Sequence, residues 1–397
     1  MHDAITFKET KNGYLFPEIL TSSCIKCGQC LRVCPGIHFE QSLLEKMDSI
    51  DPFIGNVIDV SSGRAADEKI FTNGQSGGLT TAILLYLLRK KEIDGAFVVT
   101  MQGGLNPRPM GMLIDSEEQL SVSQKSKYAP VNLLAELKKI KDKKRLALVG
   151  LSCHIHGLAN LIDNYKDLRH IEFLKVGLFC DRTMLSVGID YLVDIAKCKS
   201  TFKNLHFRDK ICGGYPGNVH VFSDNFKKEL HAKERMLIKD ALTPKRCKLC
   251  FDKLNVFADI SIGDAWGVKN KNEEGESACI VRTVRGKEIV DNLINEKNVL
   301  MHNCSIKEII EGQGIVLKKK QWKHNYDNWY KESGMKLNFA MKIVIENPIV
   351  SKKKSLTLGF VETAIISHFN KRVIIAYLKM KRIKMHILLA IRNFIRK

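Results

Sequence analysis

The sequence predicts a mixed α/β protein, and three observations carry that expectation. Strand-like apolar runs alternate with helix-like runs between residues 79 and 196, the rhythm of βαβ units in a largely parallel sheet. With 397 residues, 45% hydrophobic and 27% charged, the chain has the material for a large core and two or three domains. Beyond residue 200 the rhythm changes to shorter strands and turn clusters such as Gly213-Gly-Tyr-Pro-Gly217, so an α+β part follows.

Residues 1–20 read as an extended lead turning at Asn12-Gly13. Residues 21–36 form a compact cysteine segment, and 37–70 a polar linker with a short helix near Gln41–Met47. The glycine-rich loop Asn73-Gly-Gln-Ser-Gly-Gly78 opens an apolar helix, Leu79–Lys90. Strands are expected at Gly95–Thr100, Met112–Ile114, Arg145–Gly150 and Glu172–Phe179. Helices are expected at Val131–Lys141, His156–Asp163 and Met184–Ala196. Later strands fall at Leu205–Asp209, Val219–Ser223, Ala258–Gly263 and Ala278–Arg282, with a helix at Lys287–Glu296. The expected domains are a cysteine module over 1–55, a core over 56–345 and a basic helical tail over 346–397.

The net charge of +20 is uneven, because residues 351–397 hold twelve Lys or Arg against one acid, Glu362. A general nucleic-acid surface would spread that charge, so no nucleic-acid partner is expected. In the tail, apolar runs Val373–Leu378 and Ile387–Ile391 interleave with lysines and arginines. That pattern fits a basic amphipathic helix on an anionic membrane surface, or one docked on its own domain. Met1–Lys11 has no apolar stretch for export and no run reaches about 18 apolar residues. A cytoplasmic protein, peripheral at the inner membrane face, is therefore expected.

Twelve cysteines without an export signal point to metal ligands rather than disulfides. Cys24-x2-Cys27-x2-Cys30-x3-Cys34-Pro35 fits the bacterial ferredoxin run that wraps a short loop around a 4Fe–4S cluster. Zinc sites favour two separated pairs instead. In two-cluster ferredoxins the fourth cysteine serves the other cluster, so Cys34 either closes its own cluster or belongs to a second one. Cys153 and Cys180 each follow an expected parallel strand, where α/β ligands bind. With the pair Cys247-x2-Cys250 they make a second candidate 4Fe–4S set.

The loop before Leu79 offers backbone N–H groups to a phosphate or flavin edge, or is a plain helix cap. No G-x-G-x-x-G follows a strand and no G-x4-G-K-[ST] exists, so neither a Rossmann nucleotide site nor nucleotide hydrolysis is expected. Arg282 and Arg285 are candidates to neutralise cofactor phosphates or substrate carboxylates. His154 and His156 are candidates to protonate a substrate.

The chain resembles the coenzyme F420 hydrogenase/dehydrogenase beta-subunit family. The likeness rests on Ser76-Gly-Gly-Leu-Thr-Thr-Ala82, Gly150-Leu-Ser-Cys-His154, Val176-Gly-Leu-Phe-Cys180, Phe207-Arg-Asp-Lys210, Cys247-Lys-Leu-Cys250 and Ala258-Asp-Ile-Ser-Ile-Gly-Asp264. Ser152 and His154 stand where the family usually has Pro and Gln, so contacts there differ. The resemblance implies a flavin, usually FAD, beside a 4Fe–4S cluster. It implies that Ser76, Gly77, Gly78 and Thr80 lie near the flavin and that the cysteines after the strands hold the inner cluster. It further implies electron flow between ferredoxin, or another electron-transfer protein, and a small-molecule substrate. That substrate would be an F420-like deazaflavin or a biosynthetic intermediate, with envelope polysaccharide synthesis suggested by association alone. The rival readings are an electron-transfer adaptor without its own substrate, and a zinc protein.

Overall fold

The continuous apolar runs Leu146–Val149 and Phe173–Leu174 are what strands covered on both faces require. The computed structural model places them at the centre of a large sheet; it describes residues 3–36, 50–140, 142–269, 271–335 and 353–395. The short helix expected near Gln41–Met47 and the boundary before the tail lie outside the described residues.

The strands are β1 (Ile5–Glu9), β2 (Leu15–Ile19), β3 (Asp59–Ala65), β4 (Gly95–Gln102), β5 (Arg108–Ile114), β6 (Arg145–Gly150), β7 (Glu172–Leu178), β8 (Asn204–Asp209), β9 (Asn218–Ser223), β10 (Phe226–Leu230), β11 (Ile260–Asp264), β12 (Ser277–Val281) and β13 (Val299–Asn303). The main sheet has eight strands in the order β13-β3-β12-β11-β7-β6-β4-β5, beside a β1-β2 hairpin and a β10-β9-β8 sheet. The mixed α/β class is as expected, but the largely parallel sheet needs a correction. Only the central strands β11, β7, β6 and β4 run parallel. Both flanks are antiparallel. At β4–β5 the reason is length: the short turn after Gln102 can join only antiparallel neighbours.

β3 lies in the stretch expected to be linker. Its sequence, Asp-Val-Ser-Ser-Gly-Arg-Ala, carries no apolar alternation, yet Ser61 and Ser62 are buried between β12 and β13. Small side chains permit that closeness: a Cβ on Gly63 would sit 2.1 Å from the Leu300 carbonyl oxygen.

One sheet face is covered by the helices Leu79–Arg89 and Val284–Asn295, which bury Leu79, Ile83, Leu87, Ile289 and Leu293 against the strands. The other face takes the helix Ser152–Asn164 through Ile155 and Leu158. The tail forms two helices, Lys353–Ile366 and Lys371–Ile395. Ile366, Ile374 and Leu378 enter the core built by helix Val187–Ala196 with β8 and β9. Each such buried side chain is worth about 2 kcal/mol.

Candidate functional site

The parallel pairing of β6 with β7 sets Gly150 opposite Gly177, so both strands leave the sheet at the same edge. Cys153 follows in the first turn of helix Ser152–Asn164, and Cys180 follows β7. The segment 250–256 is laced across these strand ends. Asn255 donates to the carbonyls of Gly150 and Leu178, at 2.9 and 3.3 Å. The Cys180 N–H donates to the Lys253 carbonyl at 2.9 Å. Asp252 is wholly buried; its carbonyl accepts from Ser152 Oγ at 2.9 Å, and its carboxylate lies 3.0 Å from His156 Nε2. The lacing carries Cys247 and Cys250 to Cys153 and Cys180, uniting three distant segments.

The electrostatics register that meeting. Desolvation, then the sulfurs of Cys247 and Cys250, push the Cys153 thiol up to about 12, against Arg246. Cys180 is raised by desolvation, then by Cys247, Cys153 and Cys250. Cys250 is raised by desolvation, with Arg246 and Lys318 opposing. Four thiolates in one space repel one another, and a cationic centre among them reverses that balance. None of the twelve cysteines forms a disulfide.

The N-terminal cysteine run packs beside this set. Gly28, at φ 71°, adopts the left-handed turn that opens the helix Gln29–Val33. That helix docks on Ser152–Asn164: Asn160 Nδ2 donates to the Val33 carbonyl at 3.2 Å, and Tyr165 donates its hydroxyl to Gln29 Oε1 at 2.8 Å. Arg246, the residue before Cys247, donates to the carbonyl of Pro35, the residue after Cys34, at 2.7 Å. The two cysteine sets are therefore neighbours. A tetrahedral zinc site draws sulfur ligands to about 3.8 Å apart. Among the described residues the trio drawn within 4.8 Å is His206, Asp209 and His220, with no cysteine in it.

The glycine-rich loop is stitched into the sheet. Ser76 Oγ lies 2.8 Å from Ser277 Oγ, the Gly77 N–H donates to Ser277 Oγ at 3.0 Å, and the Gly77 carbonyl accepts from Ala65. A Cβ on Gly77 would sit 2.2 Å from the Gly63 carbonyl oxygen. Gly78 caps the helix at φ 76°, which leaves Thr80 in its first turn. Ser76 and Gly77 thus shape the loop, while Thr80 in the first helical turn is half-buried between buried Leu79 and Thr81.

Arg282, expected near a cofactor, is engaged in the interior. It is 3% exposed and donates to Ser261 Oγ and to the carbonyls of Ile54, Asn56 and Leu254. Four internal hydrogen bonds make it a brace. Arg285 pairs with Glu172 at the far end of β7. His154 is held down to about 4 by desolvation, with Nε2 3.3 Å from the Val131 carbonyl. His156 is buried against Asp252.

The structure adds a basic rim that the motifs left without a role. Lys210 Nζ donates to the Phe71 and Ser76 carbonyls at 2.6 and 3.0 Å, on the back of the loop. Burial, then Lys125, lowers its pKa to about 8. Desolvation, then Lys125, lowers Lys127 to about 7. Arg208 makes a two-pronged pair with Asp264, at 2.7 and 3.0 Å, where the Tyr215 hydroxyl also donates at 3.0 Å. Tyr215 stacks on the partly exposed Trp266, ring centroids 5.5 Å apart. Phe207–Lys210 and Asp264 were visible in the sequence, but the pairing of Arg208 with Asp264 spans 56 positions and no spacing rule reveals it.

Residues 60–138 match the family model for the N-terminal part of the coenzyme F420 hydrogenase/dehydrogenase beta subunit, and residues 143–307 match that for its C terminus. The chain is 30% identical over 317 residues to the coenzyme F420-dependent sulfite reductase of Methanocaldococcus jannaschii, across 68% of this chain and 46% of that protein. It thus spans about half the length of that relative. It is 28% identical over 302 residues to a subunit of the F420H2 dehydrogenase of Methanosarcina mazei, across 75% of this chain and 78% of that one. A chain of the F420-reducing NiFe hydrogenase complex from Methanosarcina barkeri shares the fold, with a TM-score of 0.57 and 20% identity over 72% of this chain and 96% of that chain.

Proposed function

Because the chain belongs to the coenzyme F420 hydrogenase/dehydrogenase beta-subunit family, we propose that it is an iron–sulfur flavoprotein oxidoreductase. It carries two 4Fe–4S clusters and one FAD and passes electrons between an electron-transfer protein and a small organic substrate. The observation that carries this reading is the convergence of Cys153, Cys180, Cys247 and Cys250. Sulfur is the only donor type in either set, which suits iron–sulfur clusters.

In this reading Cys24, Cys27, Cys30 and Cys34 hold the outer cluster and the strand-end set holds the inner one. A bound flavin supplies the exchange between one-electron and hydride transfer. The chain's own residues supply position and charge. Ser76, Gly77 and Gly78 shape the loop, Thr80 stands at the helix start, and Lys210, bonded to the Phe71 and Ser76 carbonyls, adds positive charge beside the loop for an anionic cofactor or substrate. Ile25, Cys27 and Leu31 are exposed around the outer set, which offers a donor protein a partly apolar landing surface.

The same reading puts the tail at an anionic membrane surface. Val373, Met380, Ile383 and Ile387 are exposed on the side of helix Lys371–Ile395 away from buried Ile374 and Leu378, with Arg372, Lys379 and Lys384 beside them. Among the described residues no helix is long and apolar enough to cross a membrane.

The test is iron, sulfide and flavin analysis of protein purified without oxygen. About eight irons, eight sulfides and one FAD per chain are expected. About four irons without flavin would reduce the chain to an electron-transfer adaptor, and zinc in place of iron would overturn the redox reading.

A further inference from the structure

His206 and His220 are direct cross-strand partners on β8 and β9, so their side chains share a face. Asp209, three residues after His206, would face the other way in a regular strand. The register of β8 against β9 shifts between His206 and Asp209. Such irregularities re-aim side chains, and here the carboxylate turns toward the two histidines. Asp209 Oδ2 lies 2.8 Å from His206 Nδ1 and 3.3 Å from His220 Nδ1. The three ligand atoms all fall within 4.8 Å of one another.

The surroundings hold this arrangement. Asp209 is 3% exposed, and its other oxygen accepts from Lys125 Nζ at 3.0 Å and from the Ile211 N–H at 3.3 Å. The carboxylate is thereby fixed, with Oδ2 left to the imidazoles. Phe222 packs against both rings, its centroid 4.9 Å from that of His206 and 5.0 Å from that of His220. Both histidines remain partly exposed, so an ion has an entry path and an open coordination position.

We propose that His206, Asp209 and His220 form a binding site for a divalent transition-metal ion of the zinc class, separate from the cysteine sets. Two imidazole nitrogens and one carboxylate oxygen match three-ligand zinc sites that keep a fourth position for water or an exogenous ligand. Calcium and magnesium call for more oxygen ligands than the trio offers. Arg208 and Lys210 flank Asp209 and reach Asp264 and the Ser76 carbonyl. An ion here therefore clamps the strand end that carries the basic rim.

Cobalt(II) is the probe, added to chelator-treated protein purified without oxygen. The expected result is one additional Co(II) per chain, with weak d–d bands, displaced by Zn(II) and absent from His206→Asn and His220→Asn. Because each comparison is with the wild type, the two variants isolate this site whether or not the clusters are present. Asn keeps a hydrogen-bond donor toward Asp209, and circular dichroism checks that each variant folds. No saturable Co(II) uptake by wild type, or unchanged uptake by both folded variants, would overturn the proposal.

Discussion

Four hydrogen bonds from one guanidinium hold the corner where Ile54, Asn56, Leu254 and Ser261 meet. Arg282→Ala strands those acceptors in the interior and is expected to cost about 3 kcal/mol or more of stability. Denaturant unfolding measures it; a variant as stable as wild type but depleted of flavin would instead support a cofactor role for Arg282. If the proposed two-cluster reading holds, Cys180→Ser is expected to lower iron content by about half, because it removes a ligand of one of the two proposed sets. Lys127 carries a pH dependence. Its pKa is about 7 in the folded protein and about 10.4 when unfolded, so between these values the unfolded chain binds more protons. This lysine therefore costs least at high pH, and its penalty grows as pH falls toward about 7. Relative to Lys127→Met, wild type should gain up to about 1.4 kcal/mol per pH unit as pH rises from 7 to 9. A constant difference across that range would contradict the assignment.

The tail helix Lys371–Ile395 has two roles along its length. Leu378 is fully buried, so Leu378→Ala should destabilise by about 2–4 kcal/mol. Ile383 and Ile387 are 59% and 54% exposed, so the double change Ile383→Asp with Ile387→Asp should leave the unfolding midpoint in place. The same double change should abolish co-sedimentation with anionic lipid vesicles, and retained binding would remove the membrane from the account. Element by element, β6, β7 and helix Leu79–Arg89 were legible because buried elements are written mostly in apolar residues, interrupted only by Lys175 in β7 and by Thr80-Thr81 in the helix. β3 was not, because it enters the sheet through serine and glycine, and closeness of packing leaves no period to read. The antiparallel flanks were hidden for another reason: strand order is decided by pairing partners far apart in sequence.

Across the whole molecule, each cysteine set was legible to a different degree. The N-terminal run announces itself through local spacing. The strand-end set was grouped in the sequence from two strand ends and a Cys-x2-Cys pair, and the β6–β7 pairing with the lacing by Asp252 and Asn255 shows how its segments meet. The basic rim and the His206–Asp209–His220 trio emerge only in three dimensions, since a bulge and contacts across distant segments create them. In the proposed function the two clusters lie side by side, joined through the contact of Arg246 with Pro35. Electron paramagnetic resonance of the reduced protein tests it most directly. The expected spectrum is spin-coupled, integrating to about two spins per chain, and collapses to a simple one-cluster signal in Cys180→Ser. An uncoupled signal of about one spin in wild type, unchanged by Cys180→Ser, would contradict it.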